Sequence, residues 1–155
     1  MNLKEEALKL HKLNHGKLAT ASKVKVATKE DLSLVYTPGV AEVCREIAAN
    51  PKTVYDYTFK SNSVAVVTDG SAVLGLGNIG AEASLPVMEG KCVLFKELAN
   101  IDAFPICLAT QNDKEIISIV KNIAPAFGGI NLEDIAAPRC FTIEEALQDI
   151  GIPVM

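Results

Sequence analysis

The stretch Ser63-Val-Ala-Val-Val-Thr68, closed by Asp69-Gly70, decides the fold class. Its three valines are β-branched and lie in a short apolar run that ends in a turn pair, a pattern that predicts a buried strand. Further apolar runs follow along the chain. They predict additional strands at residues 104–109, at residues 127–131, where the pattern is weaker, and from residue 152 to residue 155.

Helical patterns lie before, between and after these runs. Strands that alternate with helices predict an α/β fold. We therefore expect a three-layer α/β/α domain whose sheet is mostly parallel or mixed, with helices on both faces. The predicted helices are residues 2–13, a helix opened by Thr37-Pro38 and ended by Asn50-Pro51, one from Pro86 to about Asn100, one capped by Asn112 with Glu115, and one capped by Thr142 with Glu145 and stopped by Gly151.

Composition narrows the class of protein. A chain of 155 residues is one domain by the usual prior, and its net charge of −4, without a basic block, argues against binding of nucleic acid. The apolar runs are much shorter than the roughly 20 residues that a bilayer requires, and the N-terminus lacks a signal-peptide core. The four cysteines have no metal-binding spacing, which favours reduced thiols in a cytoplasmic protein.

Lys91 is the first candidate for chemistry. In a helix that begins at Pro86, Met88, Cys92, Phe95 and Leu98 form an apolar stripe, and Lys91 lies inside it. Burial favours the neutral form of a lysine, and a neutral amine can act as a general base near pH 7. The alternative is a lysine at the edge of the stripe whose ammonium reaches the solvent.

Glu133-Asp134 and Tyr36 are two further candidates. The acidic pair follows a predicted parallel strand, at the sheet edge where α/β proteins bind ligands, and its hard oxygens suit Mg²⁺ or Mn²⁺. Adjacent side chains diverge on a regular strand, so both can reach one ion only from a bent segment; otherwise they form an exposed acidic pair. Tyr36 precedes a predicted helix, where its phenol either donates a proton or covers the core.

Gly75-Leu-Gly77-Asn-Ile-Gly80 matches the pattern GxGxxG. A dinucleotide-binding fingerprint requires a strand directly before these glycines and an acidic residue about 20 positions later, at the end of the next strand. Here Asp69-Gly70 and Val73-Leu74 intervene after the strand, and Glu97 and Asp102 lie in or just after a predicted helix. A tight glycine turn that shapes a pocket wall is the alternative.

Taken together, these motifs resemble the N-terminal domain of malic enzymes of the compact bacterial type. The resemblance runs in order from about residue 10 to the end of the chain. It is carried by Val35-Tyr36-Thr37-Pro38-Gly39-Val40, Val66-Val67-Thr68-Asp69-Gly70, Gly75-Leu-Gly-Asn-Ile-Gly80, Leu85-Pro86-Val87-Met88-Glu89-Gly90-Lys91 and Asn131-Leu132-Glu133-Asp134-Ile135.

The resemblance implies oxidation of (S)-malate with NAD⁺ or NADP⁺ and decarboxylation to pyruvate and CO₂. It implies that Lys91 contacts the substrate and takes the proton of the C2 hydroxyl, while Tyr36 protonates C3. Glu133 and Asp134 would be two of three carboxylate ligands of Mg²⁺ or Mn²⁺, and the ion would act as a Lewis acid. It also implies a homodimer or a larger homo-oligomer.

Two departures from the family pattern shape what we expect of residues 1–155. The third metal carboxylate and the nicotinamide-binding Rossmann domain would lie beyond Met155, so we expect this chain alone to be inactive and its glycine motif not to be the family's cofactor site. The eukaryotic branch has an arginine near Ala72 that holds a malate carboxylate, whereas Ser71-Ala72 offers no charge here, so recognition of that carboxylate must come from elsewhere. The rival hypotheses are a non-catalytic assembly module and a nucleotide-binding domain that uses residues 75–80. NAD versus NADP, and whether Tyr36 acts in its own subunit, stay open.

Overall fold

The computed structural model describes residues 2–155 as two compact units, one of residues 2–18 and 62–155 and the other of residues 19–61. The strands are β1 (Ser63–Thr68), β2 (Asp102–Cys107) and β3 (Gly129–Leu132). The helices are α1 (Leu3–Asn14), α2 (Lys29–Val35), α3 (Val40–Ala49), α4 (Val54–Tyr57), α5 (Gly80–Ala99), α6 (Asp113–Ile123) and α7 (Arg139–Glu145). None of the helices among these residues is long and apolar enough to cross a membrane.

The sheet of the first unit is parallel and has the strand order β2-β1-β3. Strand β1 lies in the middle and all of its residues are buried, as the valine-rich stretch predicts. The apolar end of the chain contributes one parallel bridge, between Val154 and Ile130, beside β3. Within the described residues, the predicted strand at residues 152–155 is thus represented by a single bridge.

Helices pack on both faces of this sheet and form two hydrophobic clusters. On one face, Ile116 and Val120 of α6 and Ile143 of α7 pack with Ala65 and Val67 of β1. On the other face, the buried cluster contains residues of β1 and α5, namely Val64, Val66, Met88 and Cys92. The prediction of a three-layer α/β/α fold is confirmed, and the sheet is parallel rather than mixed.

Several predicted helix starts are wrong. Helix α5 begins at Gly80 and contains Pro86, because the amides of Ile79 and Gly80 donate to the carbonyl of Gly70 and anchor an earlier first turn. Helix α7 begins at Arg139, so Thr142 lies inside the helix instead of capping it.

Helix α3 begins at Val40 after Gly39, so Thr37 is not its cap. Helix α2, which the apolar pattern did not predict, starts from a capping box formed by Thr28 and Asp31. Asn112 does cap α6, as predicted, by accepting hydrogen bonds from the amides of Lys114 and Glu115.

Candidate active site

The candidate site lies where β1 and β3 end. Glu133 follows β3 directly, and its amide donates to the carbonyl of Val67 at 2.8 Å, which continues the sheet by one bond. Asp69 likewise comes directly after the last residue of β1. Because the carboxyl ends of parallel strands meet at one edge of the sheet, the two acidic positions lie where α/β proteins bind ligands.

Lys91 of α5 reaches this edge. Its Nζ lies 2.5 Å from Oε1 of Glu133, and the two side chains are 39% and 24% exposed. Two residues predicted from separate parts of the chain are thus paired in the structure. Lys91 is half-buried at the edge of the apolar stripe, an intermediate between the two environments considered from the sequence.

The stripe itself is shorter than predicted. Met88 and Cys92 are buried, and Phe95 packs against their cluster. Leu98, which the helical spacing places in the same stripe, is 80% exposed because the cluster on this face of the sheet does not extend to the last turn of α5.

Asp134 has a bent backbone and a partly orphaned carboxylate. Its φ of 53° is in the left-handed region, and its carbonyl accepts the amide of Ala72 at 2.9 Å. Oδ2 is buried and has no hydrogen-bond partner in the structure. Burial raises the pKa of Asp134, the charge of Glu133 raises it further, and Lys91 opposes both effects. The bend supplies the irregular segment that two adjacent carboxylates need if they are to share an ion.

A divalent cation fits this donor set in part. An unpartnered buried carboxylate oxygen beside a second carboxylate is a hard oxygen site of the kind that Mg²⁺ and Mn²⁺ prefer. Within residues 2–155, no group of three or more His, Cys, Asp or Glu side chains is arranged to hold a metal ion. Glu133 and Asp134 would therefore be two of its ligands and not a complete set.

Tyr36 belongs to the second unit, in which it follows α2 directly and is 67% exposed. Its amide donates to the carbonyl of Leu32, and its own carbonyl accepts the amide of Val40 at the start of α3. The prediction that Tyr36 immediately precedes a helix holds to within a few residues. Its exposure agrees with neither a buried phenol nor a phenol that covers a core within its own unit.

The glycine motif lacks the context of a dinucleotide fingerprint. Eleven residues, 69–79, separate β1 from α5, and Val73 and Gly77 pair within this loop. Of the two candidate acidic residues, Glu97 lies in α5 and Asp102 begins β2 instead of ending a strand. The chain contains no Rossmann domain in its described residues.

A polar network lies beside the acidic pair, and no sequence motif predicts it. The side chain of Asp69 is 0% exposed and is held by Arg139 and Ser71. From the sequence alone, Asp69 is interpreted only as a turn residue or as a group that orients a neighbour. A usable signal was the scarcity of arginine, since Arg45 and Arg139 are the two arginines among fifteen basic residues.

Comparison with known proteins identifies the family. The family model described as the malic enzyme N-terminal domain matches residues 15–116 and 111–148. The chain belongs to the malic enzyme family. It is 63% identical over 155 residues to the bifunctional malic/malolactic enzyme of Bacillus subtilis, a match that covers 99% of this chain and 38% of that protein. It is 64% identical over 140 residues to the NAD-dependent malic enzyme of Geobacillus stearothermophilus, covering 90% of this chain and 29% of that one.

Solved malic enzymes share the fold. The crystal structure of malic enzyme from Pyrococcus horikoshii matches with a TM-score of 0.96 and 56% identity, over 98% of this chain and 36% of that chain. The NAD-dependent malic enzyme of Thermotoga maritima matches with a TM-score of 0.94 and 57% identity, over 96% and 40% of the two chains. This malic enzyme chain thus spans well under half the length of these relatives.

Proposed function

We propose that this chain forms the part of a malic enzyme that contacts malate and a divalent metal ion. The reaction is oxidation of (S)-malate by NAD⁺ or NADP⁺ and decarboxylation to pyruvate and CO₂. The observation that carries the proposal is the position of Lys91 Nζ, 2.5 Å from Glu133 Oε1 and in the same charge cluster as Asp134, whose buried Oδ2 has no hydrogen-bond partner. The amine and the two carboxylates are the residue types that a general base and a divalent-metal site use, and they lie together at one edge of the sheet.

In the proposed mechanism, the amine of Lys91 contacts malate and takes the proton of its C2 hydroxyl. The nicotinamide cofactor, when bound, would accept the hydride from C2. The C3–C4 bond then breaks, CO₂ leaves, the electron pair of that bond forms the enolate of pyruvate, and Tyr36 gives a proton to C3 of that enolate. Glu133 and Asp134 would hold Mg²⁺ or Mn²⁺, which when bound supplies Lewis-acid polarisation of the C2 oxygen. The relatives include NAD-dependent and NADP-dependent enzymes, so the proposal covers both cofactors. We place the reaction in the cytoplasm, in keeping with four free cysteines.

The test uses a chimera in which this chain replaces the 155 matched residues of the Bacillus subtilis relative. We expect pyruvate formation that needs NAD⁺ or NADP⁺ and stops when EDTA removes the metal. We expect the 155-residue chain alone to form little or none, because its described residues offer no third carboxylate for the metal. Asp134→Asn should lower kcat by at least about 100-fold, since a direct ligand matters no less than the outer-shell partners whose loss costs up to that much.

Two controls accompany Asp134→Asn. Asp149→Asn makes the same change at an exposed residue and should leave kcat unchanged. Asparagine tolerates the left-handed backbone of Asp134, so the variant should fold. The raised pKa of Asp134 means that its charge costs stability above that pKa, a cost removed as the pH falls through it. The variant should therefore have an equal or higher Tm at pH 7, and retained metal-dependent kcat would contradict the metal role.

A second candidate function is assembly, and helix α1 favours it. Helix α1 buries none of its residues, and its apolar side chains, among them Leu3, Leu10 and Leu13, are exposed. An exposed apolar stripe of this kind is typical of a protein–protein interface. We propose that the chain forms a homodimer or a larger homo-oligomer through this helix.

Sedimentation velocity tests the assembly candidate. The chain should sediment as a dimer or larger species, and Leu10→Asp, which charges the stripe, should shift it to the monomer. Lys12→Asp is the matched control, because it places the same carboxylate on the polar face of α1 and should leave the oligomer intact. A monomer at all concentrations would contradict assembly without affecting the catalytic proposal.

A further inference from the structure

One guanidinium bonds four residues of the chain beside the candidate site. Nη1 of Arg139 donates to Oδ2 of Asp69 at 2.5 Å and to Oγ of Ser71 at 3.2 Å. Nε donates to Oδ1 of Asp113 at 2.6 Å, and Nη2 donates to the carbonyl of Gln111 at 2.6 Å. Arg139 therefore joins the start of α7 to the turn after β1 and to the segment that leads into α6.

Loss of the contact between Arg139 and Asp69 should destabilise the fold. Asp69 is completely buried, and its other oxygen accepts the hydroxyl of Ser71 at 2.6 Å and the amide of Ser71 at 3.0 Å. A buried carboxylate that loses its cationic partner is strongly destabilised. Arg139 suits this place because a guanidinium carries five N–H donors on three nitrogens in a fixed planar fork, whereas a lysine has three donors on a single nitrogen.

The same turn holds the segment that carries the acidic pair. The amide of Ala136 donates to Oγ of Ser71 at 2.8 Å, and the amide of Ala72 donates to the carbonyl of Asp134 at 2.9 Å. Ser71 thus bonds both the Glu133–Asp134 segment and the guanidinium of Arg139. The acidic pair and Arg139 are two ends of one short segment, and both ends are attached to residues 69–72.

Arg139 is poorly suited to bind a substrate carboxylate itself. Four of the five N–H groups of its guanidinium already donate to protein acceptors. A substrate would have to displace at least one of these acceptors to gain a bidentate contact. Its bonds are directed to the framework of the site and not into it.

We propose that Arg139 is a positioning residue that, with Asp69 and Ser71, holds the Glu133–Asp134 segment in the geometry needed to bind a divalent cation. The inference rests on the proposed function in one respect, namely that the acidic pair binds the cation. Residues that hydrogen-bond to metal ligands without touching the metal typically lower the metal affinity by about 10–100-fold when they are replaced.

The experiment compares Arg139→Met, Arg139→Lys and the unchanged chain by two NMR readouts. The first is hydrogen exchange at the amides of Ala72 and Ala136, which report directly on the two bonds to the segment. The second is titration with Mn²⁺, followed by paramagnetic broadening of the Glu133 and Asp134 amides. Arg45→Met is the matched control, because it removes the other arginine, whose partner is the exposed Glu42.

We expect Arg139→Met to speed exchange at both amides by at least about tenfold and to weaken Mn²⁺ binding by about 10–100-fold. Arg139→Lys should recover part of both losses, because it restores the charge beside Asp69 without the fork. Arg45→Met should change neither. Should Arg139→Met fail to fold, the Arg139→Lys variant decides by the same two readouts.

A folded Arg139→Met variant, or Arg139→Lys in its place, with unchanged exchange at Ala72 and Ala136 would overturn the positioning role. So would faster exchange with unchanged Mn²⁺ affinity, because the segment would then be loosened without consequence for the site. Absence of specific Mn²⁺ broadening in the unchanged chain would count against the proposed metal site. In that case the exchange readout still decides whether Arg139 holds the segment.

Discussion

Lys91→Met should lower kcat for pyruvate formation by about 10²–10⁴-fold in the chimera that carries this chain, because this is the usual contribution of a general acid or base. Methionine preserves much of the length of the lysine side chain and suits the neighbouring apolar residues Met88 and Cys92, so the helix should be retained. The substitution should lower kcat while changing the Tm of thermal unfolding little. Steady-state rates with both nicotinamide cofactors measure it.

Lys91→Arg separates a base from a mere ionic partner. Arginine can keep the ion pair with Glu133, but it does not lose its proton in the accessible pH range. If Lys91 acts as the base, Lys91→Arg should be nearly as slow as Lys91→Met. Recovery of most of the activity with arginine would mean that the positive charge beside Glu133 is all that is needed, and the proposed proton transfer would be wrong.

Gly70→Ala should lower the free energy of unfolding by about 3 kcal/mol, from a left-handed backbone together with overpacking. The φ of Gly70 is 66°, and a Cβ placed on it would lie 2.2 Å from the carbonyl oxygen of Gly80 and 2.4 Å from its carbon. The neighbour is backbone at the first turn of α5. It cannot move away without disturbing the bonds from Ile79 and Gly80 to the Gly70 carbonyl. Urea denaturation of the chain measures the loss.

Gly77→Ala is the control for the backbone contribution alone. Its φ of 74° is close to that of Gly70, but a Cβ there meets no heavy atom within 4 Å. We expect a loss of about 1–2 kcal/mol from the left-handed conformation. The difference between the two variants measures the steric contact with Gly80. Equal losses would show that the approach of Gly70 to the start of α5 contributes nothing.

Local patterns predicted the elements whose causes are local. The valine-rich run at residues 63–68 predicts β1 with its observed bounds, because a fully buried parallel strand needs an unbroken apolar run. The Asn112 cap is likewise confirmed, because its hydrogen bonds are made within its own first turn. The helix starts predicted at Pro86 and Thr142 are wrong, because the first turn of α5 is held by the distant carbonyl of Gly70 and α7 begins before Thr142.

For the candidate site, too, the sequence predicts the residues but not the contacts between them. Residue type and the order of elements were enough to select Lys91 and the acidic pair, since a lysine in an apolar stripe and two carboxylates after a strand are visible along the chain. Their 2.5 Å contact was not visible, because it depends on how α5 lies across the sheet. The network of Arg139 was invisible for the same reason, since its partners lie 26 to 70 positions away.

The linear chain therefore predicted an α/β architecture with a mostly parallel or mixed sheet, the resemblance to the family and the residue types from which a site could be built. Folding alone decided which charges meet. Asp69 becomes a buried anion, Arg139 becomes its partner, and Asp134 is left with an oxygen that no protein group satisfies. The physical reason is that apolar periodicity depends only on residues close together along the chain. The pairing of charges depends on distances and burial that exist only once the strands and helices have packed.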